Sequence, residues 1–130
     1  MIFVDTSAVL ALFNSEDPDH AEASDMLRRH LESSSFVTHN YVLLETTALL
    51  QRRFGLRAVR LFVERLLPSL DVRWVDRARH ERAVNAVLVG RRPRVPLVDQ
   101  VSFGLMRELG IDQAFAFDDD YRREGFTLLT

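Results

Sequence analysis

Short apolar runs alternate with longer stretches of helical spacing along this chain. Met1–Val4 reads as a buried strand, since strands covered on both faces are continuously apolar. Thr6 or Ser7 is placed to cap a helix through about Phe13, closed by the polar loop NSEDPD. From His20 to about Leu31, Ala23, Met26, Leu27 and Leu31 recur on one side, which predicts an amphipathic helix. SSS then leads into a short strand, Phe36–Thr38. Asn40 is a good N-cap for an apolar helix that runs to about Phe54 and stops at Gly55. A further amphipathic helix spans Leu56–Leu67 and ends near Pro68, and Val72–Val75 is strand-like. Arg77–Val89 and Leu97–Leu109 read as helices ended by Gly90 and Gly110, with the loop RRPRVP between them. Ala114–Phe117 is a strand, DDDYRREG a turn or helical turn, and Phe126–Leu129 a last short strand. This order predicts right-handed crossovers and an α/β fold: a mostly parallel central sheet of about four or five short strands, flanked by helices. No repeat or linker divides residues 1–130, so one domain is expected.

Composition narrows the chemistry. The chain has no Cys, which excludes thiol nucleophiles, iron–sulfur clusters, thiolate zinc and disulfides. It also has no Lys, so all 17 basic residues are Arg, and Schiff-base chemistry and the P-loop lysine drop out. The same absence counts against receiver domains and haloacid-dehalogenase-type phosphatases, which normally rely on a lysine beside their aspartates. The phosphatases also want a second Asp two residues after the first, where this chain has Ser7. No apolar stretch approaches the roughly 20 residues that cross a bilayer, and no basic segment precedes MIFVDTSAVL. A membrane partner and a secretory signal are therefore not expected. A net charge of −2 does not mark a nucleic-acid binder, although bound cations would offset several acids.

Four acidic residues interrupt apolar runs: Asp5 in IFVDTSAVLALF, Glu45 in NYVLLETTALL, Asp99 in VPLVDQVSFGLM and Asp118 in AFAFDDD. A carboxylate near a core is costly unless something compensates it. Taken singly, each has an ordinary reading. Asp5 caps the following helix, Glu45 is solvated if its helix rotates, Asp99 is a first-turn aspartate, and residues 118–120 form an acidic turn. Together they suggest one pocket, because functional groups gather outside the carboxyl ends of parallel strands. Two unit charges about 4 Å apart repel by about 4 kcal/mol at an effective dielectric of 20, so such a pocket raises pKa values or recruits a cation. A hard cation that accepts oxygen ligands and binds phosphate is the economical choice, which points to phosphodiester chemistry.

These segments resemble a known family, the PIN-domain ribonucleases, and specifically the VapC-like toxins of bacterial toxin–antitoxin pairs. MIFVDTSAVLALF is similar to the family's strand–Asp–Thr/Ser opening, and THNYVLLETTALL to its capped helix bearing Glu. PLVDQVSFGLMRELGI and AFAFDDDYRREGFTLL resemble the stretches with the third and fourth acids. The resemblance implies a PIN-like domain over 1–130, with Asp5, Glu45, Asp99 and Asp118 as catalytic, metal-binding acids. It implies auxiliary roles for Thr6 or Ser7 beside Asp5, for Asn40 and for Asp120. It further implies Mg²⁺ or Mn²⁺, hydrolysis of RNA by a metal-activated water, a cognate antitoxin over the acidic pocket, a homodimer and a cytoplasmic location. One departure stands out: many relatives carry a hydroxyl residue immediately before the third acid or three before it, and here those places are Val98 and Pro96. Two other readings stay open: a PIN-fold interaction module without turnover, and a processing nuclease on RNA or DNA outside a toxin–antitoxin pair.

The remaining features are weaker. Arg91, Arg92 and Arg94, just upstream of Asp99, are candidate contacts to RNA phosphates. Arg52, Arg53, Arg57 and Arg60 read as solvent face or partner contact. The four His residues have no ligand spacing and read as surface or packing groups. Trp74 and most of the nine Phe residues read as core, and the apolar helices at Ala8–Phe13 and Leu43–Leu50 as surfaces that leave grooves for a partner helix.

Overall fold

The computed structural model describes residues Met1–Thr130. Its strands are β1 (Ile2–Val4), β2 (Phe36–His39), β3 (Leu70–Arg73), β4 (Gln113–Phe115) and β5 (Thr127–Leu128). They form one sheet in the order β3-β2-β1-β4-β5, and every pairing is parallel. β1, in the middle, and β2 beside it are buried at every residue, as parallel strands covered on both faces require. The edges are short or charged: β5 has two residues, and β3 bears an Asp71–Arg73 ion pair.

The helices are α1 (Thr6–Phe13), α2 (His20–His30), α3 (Asn40–Phe54), α4 (Leu56–Leu61), α5 (Arg77–Val89), α6 (Leu97–Leu109) and α7 (Asp120–Arg123). Two apolar layers result from the alternation of side chains along each strand. Ile2, Val4, Phe36 and Phe115 face Ala8, Val9 and Ala11 of α1, Met26 of α2, Leu50 of α3 and Phe62. Phe3, Val37 and Ala114 point the other way, onto Phe103, Leu105 and Met106 of α6 and onto Tyr121. α6 ends at Gly110 in the left-handed region (φ 67°), where a side chain would be strained.

Local chemistry differs from the sequence expectation at several points. The N-cap of α1 is Asp5, not Thr6 or Ser7, and that of α3 is His39, not Asn40. The Asn40 carboxamide instead accepts from the amide of Val75 at 2.6 Å and fastens the loop after β3. β3 begins two residues early and stops at Arg73, so Trp74 lies beyond the sheet's edge strand with nothing to cover it and is 71% exposed rather than core. β4 spans Gln113–Phe115, which leaves Phe117 in the loop that reaches Asp118. The helix expected over Leu56–Leu67 stays α-helical only to Leu61, then widens over Phe62–Leu66 and tightens over Leu67–Ser69. Pro68 accounts for the break, since its ring clashes with the carbonyl four residues back and it donates no hydrogen bond.

Candidate active site

An all-parallel sheet sends every carboxyl end to one edge, and there β1 ends at Asp5, β2 at the start of α3, and β4 just before Asp118. Asp5 is 5% exposed and its carboxylate is held on both oxygens. Its Oδ2 accepts from the Ser7 amide at 3.1 Å and the Ser7 hydroxyl at 2.6 Å, and its Oδ1 accepts from the Tyr121 hydroxyl at 2.9 Å. Burial raises the Asp5 carboxyl above the ordinary carboxylate range; the bonds from Ser7 and Tyr121 oppose this, and the nearby charge of Asp118 adds to it. Ser7 is therefore the hydroxyl that positions Asp5. Thr6 points elsewhere, accepting from the Thr46 hydroxyl at 3.2 Å.

Asp99, in the first turn of α6, is 7% exposed and is pushed up to about 8. Burial is the largest cause, followed by the charges of Asp5 and Asp118, contact with Asp118, and the charge of Glu45. All three of the other acids thus lie close enough to oppose its ionisation. No serine, threonine or backbone amide donates to Asp99, in keeping with Val98 and Pro96, which offer no hydroxyl beside it; the nearby Ser102 hydroxyl turns to the Val98 carbonyl at 3.0 Å. The tightest group comprises Asp99, Asp118 and Asp120, with one carboxylate oxygen from each within 4.8 Å of the others. Asp5 and Glu45 stand around this group rather than inside it. Asp118 Oδ1 also accepts from the Asp120 amide at 2.9 Å, which shapes the turn.

Asp120 differs from the others in charge balance. It pairs with Arg123 at 3.0 Å and Arg92 at 3.6 Å, whereas none of Asp5, Glu45, Asp99 and Asp118 has an arginine partner. Arg92 is engaged by Glu124 as well, so it is not a free phosphate contact, contrary to the sequence expectation. Arg91 and Arg94 remain exposed and unpaired. An all-oxygen donor set with four uncompensated carboxylates fits a hard divalent cation.

Sequence reasoning missed Tyr121, Ser102 and the buried role of His39. The available signals were a hydroxyl three residues after Asp118, another three residues after Asp99 on an apolar helix face, and a histidine at the end of a buried strand.

An all-parallel five-stranded sheet with acids converging at its carboxyl edge defines the class: this chain belongs to the PIN domain family, whose model matches residues 2–126. Divalent metal use is general among PIN nucleases. Among individual proteins, it is 38% identical over 127 residues to the 23S rRNA-specific endonuclease VapC20 of two Mycobacterium tuberculosis strains, CDC 1551 / Oshkosh and ATCC 25618 / H37Rv. That match covers 97% of this chain and 95% of the relative. The crystal structure of Mycobacterium tuberculosis VapC20, described as a sarcin–ricin loop cleaving toxin, superposes with a TM-score of 0.84 at 36% identity, covering 98% of this chain and 97% of that one.

Proposed function

We propose that this chain is a Mg²⁺- or Mn²⁺-dependent endoribonuclease, the toxin of a type II toxin–antitoxin pair, with Asp5, Glu45, Asp99 and Asp118 as its metal-binding catalytic acids. The observation that supports this reading is the charge balance at the sheet edge: Asp5, Glu45 and Asp118 come from separate segments close enough to oppose ionisation of Asp99, and none of these four is itself paired with an arginine. A divalent cation held there would supply Lewis-acid chemistry toward water and a phosphodiester. The chain's own part is to hold the acids. Ser7 and Tyr121 fix Asp5, the first turn of α6 presents Asp99, and the turn before α7 presents Asp118. Asp120, neutralised by Arg92 and Arg123, acts by shaping that turn and stands by as an auxiliary ligand. Asp99, whose carboxyl is pushed up by burial and by the neighbouring acids, would hold a divalent cation in its ionised form, with the cation offsetting the charges of those neighbours.

Arg91 and Arg94 are the phosphate contacts of this reading. The relative's named activity makes large-subunit ribosomal RNA the first substrate to test. Exposed Leu44, Phe54, Leu56, Leu61 and Val63 on and after α3–α4 supply apolar surface for an antitoxin or a second copy. No helix is long and apolar enough to cross a membrane, and a toxin acting on ribosomal RNA belongs in the cytoplasm.

The deciding experiment sequences RNA ends after induced expression of wild type and Asp5→Ala. Defined new ends and growth arrest with wild type alone support the reading, and EDTA should stop cleavage by the purified protein. Full cleavage by Asp5→Ala or Asp99→Ala in nuclease-free conditions would sink it.

A further inference from the structure

Three polar side chains lie in the dry layer under the acids: His39, Ser102 and Tyr121, each fully buried. His39 and Ser102 share one run of hydrogen bonds, and Tyr121 bonds Asp5 directly. His39 Nδ1 accepts from the amides of Tyr41 at 3.2 Å and Val42 at 3.4 Å, which places the ring proton on Nε2. Burial lowers this imidazole to about 4, so it is neutral. Its Nε2–H donates to Ser102 Oγ at 2.9 Å. Ser102 gives its one proton to the Val98 carbonyl at 3.0 Å, so this run ends within α6. Tyr121, in the same buried layer, donates its own proton to Asp5 Oδ1 at 2.9 Å.

We propose that Tyr121 is a positioning residue for Asp5, holding Oδ1 directly through its hydroxyl. The inference rests on the reading of the acids as cation ligands. A carboxylate offers about four lone-pair sites. The Ser7 amide and hydroxyl take those on Oδ2 and Tyr121 takes one on Oδ1, so one on Oδ1 is left for a cation. Tyr121 follows Asp118 by three residues, so its bond to Asp5 ties the segment that carries Asp118 to the end of β1. The separate His39–Ser102 bond ties the start of α3, which bears Glu45, to α6, which bears Asp99.

Packing alone does not call for the hydroxyl. The Tyr121 ring already meets Phe103 edge-on at 5.0 Å and stacks near Phe3 at 6.2 Å, contacts a phenylalanine would also make. A buried hydroxyl is costly unless bonded, and this one is spent on the site carboxylate.

Tyr121→Phe removes the hydroxyl and keeps the ring. Wild type, Tyr121→Phe and Asp5→Asn are titrated with Mn²⁺ by calorimetry without RNA. The expected result is a Kd for Mn²⁺ raised about 10-fold or more in Tyr121→Phe, the usual size of such an outer-partner effect. In cleavage assays KM for RNA stays unchanged, while kcat at limiting Mn²⁺ falls and recovers with excess Mn²⁺. Wild-type Mn²⁺ affinity in Tyr121→Phe overturns the proposal while leaving the nuclease reading intact. No Mn²⁺ binding by wild type overturns both. If Tyr121→Phe does not fold, ¹H NMR of the wild type decides: a slowly exchanging Tyr121 hydroxyl proton whose signal shifts when Mg²⁺ is added supports the bond to Asp5, and a rapidly exchanging one overturns the proposal.

Discussion

The Ser7 hydroxyl donates to Asp5 at 2.6 Å and, in the same position, accepts from the amide of Phe117 at 3.0 Å. One small side chain thus ties the acid at the end of β1 to the loop that delivers Asp118. Ser7→Ala should weaken both. A half-buried amide left without its acceptor costs about 1–3 kcal/mol, read by urea unfolding. Cation affinity should fall about 10-fold in the same variant, read by Mn²⁺ titration. Unchanged values on both counts would deny Ser7 its bridging role.

Asp99→Asn should separate stability from activity. With its carboxyl held near 8 by burial and by the charges of Asp5, Asp118 and Glu45, ionisation works against folding. In EDTA at pH 8 the variant should be more stable than wild type by about 2 kcal/mol, while RNA cleavage is lost. A less stable variant would contradict the electrostatic account.

The same group sets a pH dependence. An unfolded aspartate titrates near about 3.9, and the folded Asp99 near 8, so between those values the folded state keeps a proton that the unfolded chain has lost. Stability therefore falls as pH rises through this window and levels off above it. His39, neutral and lowered to about 4, adds a loss only on the acid side, below about 6.5, so the fall between pH 6.5 and 8 belongs to the raised carboxyls, Asp99 and its neighbour Asp5. Thermal unfolding in EDTA should show a falling Tm from pH 6.5 to 8, and Mg²⁺ should flatten it. A rising Tm would have the wrong sign.

Asn40→Ala should act on the fold. It removes the 2.6 Å bond to the Val75 amide, costing about 1 kcal/mol, with cleavage by the folded protein within about threefold of wild type. A large loss of kcat at full folding would return Asn40 to the site.

The basic loop divides into two kinds of arginine. Arg91→Ala and Arg94→Ala should each weaken RNA binding and reduce the slope of log K against log salt by slightly less than 1, measured by fluorescence anisotropy. Arg92→Ala should leave that slope alone and lower Tm instead, because its partners are Glu124 and Asp120.

Much of this protein could be read from its residues in order. Apolar runs and helical spacing placed the strands and helices, Gly110 ended α6, and a parallel sheet required Asp5 and Asp118 to share one edge. Such signals act between neighbours a few residues apart, so they survive without knowledge of the rest of the chain. Trp74 shows where that reach ends: its chemistry suits a core, but its place past an edge strand leaves it open to solvent. Asn40 and His39 compete for one cap, and the outcome depends on Val75 and Ser102, residues 35 and 63 positions away. The hydroxyl that holds Asp5 comes from Tyr121, 116 positions on. Partners at such distances are chosen by strand order and packing, which only the folded chain contains.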